Sequence, residues 1–170
     1  GLLAASGSQA VAYASWTPEE KLAFLDRELS SLRPFTGPRM ELPDEARNLV
    51  ELFRRLRAHI DSHGPAGIGN VIVSMTRSAP DLLAVYLFAR EAGLLVDSGD
   101  GPYCELAVSP LFETIADLEH CDGILDAWLS HPVTRRSLRY LQQRDGLARP
   151  RVVVMLGYSR SAARRVGKEC

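Results

Sequence analysis

The chain has 170 residues, 46% hydrophobic and 24% charged, with a formal net charge of -1. That suffices for one domain with a sizeable core and is ordinary for a soluble globular protein. The near-neutral balance, without a basic stripe before the tail, gives no electrostatic case for nucleic acid or an anionic membrane surface. No apolar segment approaches the roughly 20 residues of a membrane span. A signal-peptide pattern is also absent, so a cytoplasmic location is expected. Cys104, Cys121 and Cys170 are too widely spaced for a zinc site or a disulfide framework and are read as reduced thiols.

In chain order, residues 1–15 are small and weakly polar, without a periodicity that forces an element. Thr17-Pro-Glu-Glu20 is a capping-box helix start, and Leu22, Leu25, Leu29 and Leu32 fall on one face of the helix it opens. That helix is expected to stop near Leu32, because Arg33 precedes Pro34. Residues 34–43 form a loop. A second helix is expected from about Asp44, with Ala46, Leu49, Val50, Phe53, Leu56 and Ile60 as its apolar stripe. Arg47, Arg54, Arg55 and Arg57 lie opposite, as a solvated face. Gly64 to Gly67 ends it.

Residues 68–74 read as a strand. Ser78-Ala-Pro-Asp81 reads as another capping box, opening a helix to Ala92 with Leu82, Val85, Tyr86 and Ala89 inward. Asp97-Ser-Gly-Asp-Gly101 is read as a plain turn, since it lacks the ladder and closing Glu of a calcium loop. A short apolar run from Leu106 then delivers one carboxylate, Glu113, at its far end. Two or three short helices are expected from Thr114 to about Asp145, with Ile115, Leu118, Ile124, Leu125, Trp128, Leu138 and Leu141 as core. Ser130-His-Pro-Val133 is a helix junction. The run 152–156 reads as a last buried strand, ending at Gly157-Tyr-Ser159.

Buried strands alternating with helices are the signature of an α/β fold with a parallel sheet, whose chemistry sits at the carboxyl ends of its strands. Glu113 stands at such an end, although strand ends also carry ordinary capping acids. His59, His63 and His120 show no metal-ligand spacing.

Several segments together carry a resemblance. They are Val73-Ser-Met-Thr-Arg-Ser-Ala-Pro-Asp-Leu-Leu-Ala-Val85 with Ala89-Arg-Glu-Ala-Gly-Leu94, then Pro110-Leu-Phe-Glu-Thr-Ile115, then Val154-Met-Leu-Gly-Tyr-Ser159. In order and spacing they resemble motifs of phosphoenolpyruvate carboxylase, and the likeness reaches back to Trp16-Thr-Pro-Glu-Glu, Arg27-Glu-Leu and Arg33-Pro34. The family enzyme is several times longer, so this chain would be an internal piece of it. The resemblance implies a partial (β/α)8 barrel of the TIM type in residues 68–159, with residues 1–67 as a helical segment leading into it.

It implies that Glu113 is one ligand of Mg²⁺ or Mn²⁺, and that an Asp after Gly-Tyr-Ser is the other. Phosphoenolpyruvate and bicarbonate would be the substrates, oxaloacetate and phosphate the products, and a homotetramer the complete enzyme. The His131-Pro132 pair looks like the family's catalytic His-Pro-Thr, but that motif lies upstream in the family, so His131 is expected to have no catalytic role. The chain departs from the pattern at Arg160, which stands where Asp is called for. Residues 160–170 are therefore expected to be a non-native tail from a truncated or mis-assembled gene, and the isolated chain is expected to be inactive. Two other readings are a non-catalytic helical interaction domain, binding through the stripes of residues 17–32 and 44–62, and a different metal-dependent enolising barrel enzyme.

Overall fold

Side-chain caps set where four of the six described α-helices begin. The structure, a computed structural model, describes residues 10–37, 40–97 and 99–157, with side chains from residue 13 onward. The expectations for residues 1–9 and for residues 158–170, Arg160 and Cys170 among them, lie outside the described residues. Helix α1 (Pro18–Glu28) opens with the expected box: the Thr17 amide donates to Glu20 Oε2 at 2.8 Å, and the Glu20 amide to Thr17 Oγ1 at 3.3 Å. It closes at Glu28, short of the expected Leu32. The Arg90 guanidinium accounts for this, because it donates to the carbonyls of Glu28 and Ser31 at 2.7 and 3.2 Å and draws the chain off the helix axis. Leu25 and Leu29 are buried as expected, and Leu32 is exposed.

Helix α2 (Asp44–His63) buries Ala46, Val50 and Phe53 but leaves Leu49 exposed. On its basic face Arg47 and Arg55 pair with Asp44 and Glu51 in solvent. Arg57 corrects the reading of that face as wholly solvated: it is partly buried and bonds both Asp61 and Glu105. Strand β1 (Val71–Val73) is shorter than the expected 68–74. The chain leaves it through a turn in which Met75 adopts the left-handed φ of 52°, and Thr76 is tucked beneath, its hydroxyl donating to the Val73 carbonyl at 2.8 Å.

Helix α3 (Ala79–Glu91) begins where the Asp81 carboxylate accepts the Ser78 amide, at 2.9 Å. Its expected inner face is buried, but so are Leu83, Leu87, Arg90 and Glu91. The helix is not amphipathic in place, because α1 and α2 cover it from one side and the sheet and a later helix from the other. Each fully buried Leu there stabilises the fold by about 1.5–3 kcal/mol. Where the sequence showed only a turn, β2 (Leu95–Asp97) and β3 (Pro102–Cys104) pair antiparallel as a hairpin. Burial pushes the Cys104 thiol up to about 12, so it stays protonated as a packing group.

Strand β4 (Val108–Phe112) follows, then α4 (Ile115–Glu119), α5 (Cys121–Ser130), α6 (Pro132–Arg144) and β5 (Met155–Leu156). Ile124, Trp128 and Leu141 join the core as expected, whereas Ile115 and Leu118 are exposed. The cause is a break at His120 between α4 and α5, which resets the helical phase. The sheet order is β1-β4-β5, all parallel, and this is an α/β fold. Strand β5 is a two-residue, exposed edge rather than the buried run expected over 152–156. Proline explains the shortening. Ala107 and Leu111 present their carbonyls to the β1 side and Phe112 presents its carbonyl to β5, so by alternation Pro110 faces β5 and has no amide to offer there.

Two polar pairs hold the helical layer, one buried on both sides and one joining buried His131 to exposed Asp26. Glu91, fully buried, accepts the Phe35 amide at 2.8 Å and the Thr36 amide and hydroxyl at 2.7 Å each. Beside it Arg90 lies over the Phe35 ring at 4.4 Å, and its Nε, without a hydrogen-bond partner, sits 3.8 Å from the Glu91 carboxylate. Replacing Glu91 by Ala leaves the guanidinium only Glu28, 3.6 Å away, as a carboxylate partner and leaves the Phe35 and Thr36 amides without their acceptor, and is expected to cost about 3 kcal/mol in urea unfolding. Converting the pair to Arg90→Met/Glu91→Leu should recover part of that loss.

His131 is the second anchor. Its Nδ1 accepts the Val133 amide at 3.2 Å, capping α6, and its Nε2 faces Asp26 Oδ1 at 2.9 Å. Because Nδ1 is an acceptor, Nε2 carries the hydrogen and the ring is neutral. Burial, assisted by Arg136, outweighs Asp26 and lowers the His131 pKa below its usual 6.5. The unfolded chain therefore takes up this proton first, and stability is full above pH 6.5 and lost as pH falls through the lower folded value. Unfolding midpoints between pH 7.5 and 5 should fall for the wild-type chain and stay flatter for His131→Asn.

Candidate functional site

Parallel pairing fixes which residues share a rim. Val71, Ile72 and Val73 of β1 stand beside Val108, Ser109 and Pro110 of β4, and Leu111 and Phe112 stand beside Met155 and Leu156 of β5. All three strands run the same way, so their carboxyl ends open on one side. At that side lie the turn through Met75 and Thr76, then Glu113 and Thr114, then Gly157. Two amides close the rim: Thr76 donates to the Leu111 carbonyl at 3.2 Å and Gly157 to the Phe112 carbonyl at 2.7 Å.

Side chains alternate across β4. Val108 and Phe112 belong to the core cluster with α3, which places Ser109, Leu111 and Glu113 on the opposite face. Glu113 is half-buried. A Cβ built on Gly157 would lie 3.0 Å from Glu113 Cα and 3.3 Å from its Cγ, so the two strand tips are in direct contact. The next acid along, Asp117, is committed elsewhere. The Thr114 hydroxyl and amide hold its carboxyl below the usual carboxylate range and use it to cap α4.

Glu113 is thus brought to the end of β5, the placement on which its expected role depends. A carboxylate oxygen suits a hard divalent cation such as Mg²⁺ or Mn²⁺. In number the donors fall short, since no group of three or more His, Cys, Asp or Glu that could hold a metal occurs among the described residues. His131 lies in the helical layer as an anchor, and the Arg face of α2 includes one residue, Arg57, that clamps Glu105. Cys104 and Cys121 are free thiols. No helix among the described residues is long and apolar enough to cross a membrane. The stripes of α1 and α2 are largely used against α3 and are not open binding faces along their length.

The strand ending at Gly157 lies beside Glu113 as the sequence implies, and the glycine itself is a signal for a close approach of backbones. The Met75–Thr76 turn had no signal, since neither residue type favours it.

Comparison with known proteins places the chain in a family. The family model for phosphoenolpyruvate carboxylase matches residues 2–164. The phosphoenolpyruvate carboxylase of Mycobacterium avium is 38% identical over 149 residues, covering 88% of this chain and 15% of that protein. That of Rhodopseudomonas palustris is 39% identical over 150 residues, covering 88% and 15%, and that of Roseiflexus castenholzii 34% over 163 residues, covering 94% and 16%. The chain spans about 15% of the length of these relatives. With a family match over nearly all its residues, the chain belongs to the phosphoenolpyruvate carboxylase family.

Proposed function

We propose that this chain is a segment of an enzyme that carboxylates phosphoenolpyruvate with bicarbonate to oxaloacetate and phosphate, fixing carbon dioxide, and that Glu113 is one ligand of its divalent cation. The observation that carries the proposal is the contact of Glu113 with Gly157 at the carboxyl rim of adjacent parallel strands. That rim is where α/β sheets and barrels hold their chemistry. In such an enzyme the cation supplies Lewis-acid polarisation of the substrate. With one rim carboxylate among the described residues, this chain does not close that site by itself.

Residues 68–159 would form part of a (β/α)8 barrel, entered from the helices of residues 1–67. Support comes from the uneven covering of the sheet. Val71, Val73, Val108 and Phe112 pack on the helices, whereas Ile72 of β1 (51% exposed) and both residues of β5, Met155 and Leu156 (38% and 66%), are open. Parallel sheets are stable when covered on both faces. The homotetramer and the cytoplasmic location belong to the same reading of the complete enzyme.

Arg160, in the sequence, is the residue that opposes the assignment, since a guanidinium cannot ligate a cation and repels one nearby. Mn²⁺ titration followed by electron paramagnetic resonance should show binding to Arg160→Asp at least about tenfold tighter than to the wild-type chain, a gap of roughly 1.4 kcal/mol. Adding Glu113→Gln should remove it. Equal binding by the wild-type chain and Arg160→Asp would remove the ligand pair from the assignment. A coupled assay of oxaloacetate formation should give no turnover for the 170-residue chain, and measured turnover would overturn its expected inactivity.

A further inference from the structure

We infer that Gly157 is a positioning residue for Glu113: its missing side chain lets the end of β5 close on β4 and keeps open the space in which the Glu113 side chain sits. The inference rests on the reading of Glu113 as the rim acid, but its geometry stands apart from any cation. Two observations carry it. The Gly157 amide donates to the Phe112 carbonyl at 2.7 Å, which pulls the tip of β5 against the residue before Glu113. A Cβ at Gly157 would then stand 3.0 and 3.3 Å from Glu113 Cα and Cγ, tighter than ordinary van der Waals contact, and 3.4 Å from its Cβ, at the edge of it.

Backbone conformation does not require this glycine. Among the described residues the positive-φ glycines are Gly64, Gly93, Gly99, Gly101 and Gly146, so Gly157 is needed for closeness and not for a left-handed turn. The nearest of the three atoms is backbone and cannot rotate away. Even Ala at this position must therefore displace the strand end by a few tenths of an ångström, and with it the contact against which the Glu113 side chain sits. Strand β5 has only two paired residues to resist displacement.

The test uses the 170-residue chain with Gly157→Ala, and Gly69→Ala as control, since a Cβ at Gly69 would meet nothing within 4 Å. Two signals are read: the Glu113 side-chain carboxyl ¹³C resonance, assigned by its loss in Glu113→Gln, and hydrogen exchange of the amide at position 157. Gly157→Ala should shift the Glu113 resonance and speed that exchange at least about tenfold, the ratio that 1.4 kcal/mol of lost protection gives. Gly69→Ala should change neither. In Glu113→Ala the Cγ contact is gone while those to Cα and Cβ remain, so adding Gly157→Ala there should still speed exchange, but at least about twofold less, a coupling to the Glu113 side chain that a glycine needed for the backbone alone would not show.

An unmoved Glu113 resonance, equal exchange effects in both backgrounds, or failure of both Gly157→Ala chains to fold would overturn the inference. Mn²⁺ broadening of the Glu113 resonance, read in the Arg160→Asp chain where the cation reading expects binding, separates this inference from that reading. Absent broadening with a Gly157→Ala shift sinks the cation reading alone, and broadening with no shift sinks the positioning role alone.

Discussion

The amide of Gly157 bonded to the carbonyl of Phe112 decides where the rim of this sheet ends. Central strand β4 serves two neighbours with alternate residues, Ala107 and Leu111 towards β1 and Phe112 towards β5. Pro110 removes one donor from the β5 side, so the attachment of β5 is concentrated at its carboxyl end. The pairing is thus firmest next to Glu113. A longer ladder would spread the constraint along the strand, whereas this one places it at the acid.

What the sequence made legible was local. The boxes at Thr17 and Ser78 are read from residues three apart, and both appear as expected because the contacts lie within one turn. The α/β alternation and the rim position of Glu113 were legible for a related reason, since an apolar run followed by an acid and a helix start is written consecutively. Strand lengths were not. They depend on which neighbour a given amide faces, and so on Pro110 and on the Met75 turn, neither of which hydrophobicity reports.

Helix α3 shows a second limit. Residues 82–89 are apolar around most of the helix, which is the mark of a helix buried on all sides. Reading one inner face there undercounted its neighbours. Arg90 and Glu91, at its end, would ordinarily be placed in solvent. They are buried because the segment from Ser31 to Thr36 folds over them and supplies a carbonyl and amides as partners. That arrangement needs residues about sixty positions apart, and no window of sequence contains both.

The placement of charge separates the two halves of the molecule. In the helical layer, Arg90 with Glu91 and His131 with Asp26 face each other or nearby backbone, and these contacts lock helices together. Glu113 forms no ion pair among the described residues, while its backbone is fixed on both sides by the β4 pairing and the Gly157 contact. An acid matched to an internal cation would be a structural element like Glu91. Glu113 is held by its strand at the sheet rim without an ion pair among the described residues, which sets it apart from Glu91 and is the physical ground of the role proposed for it.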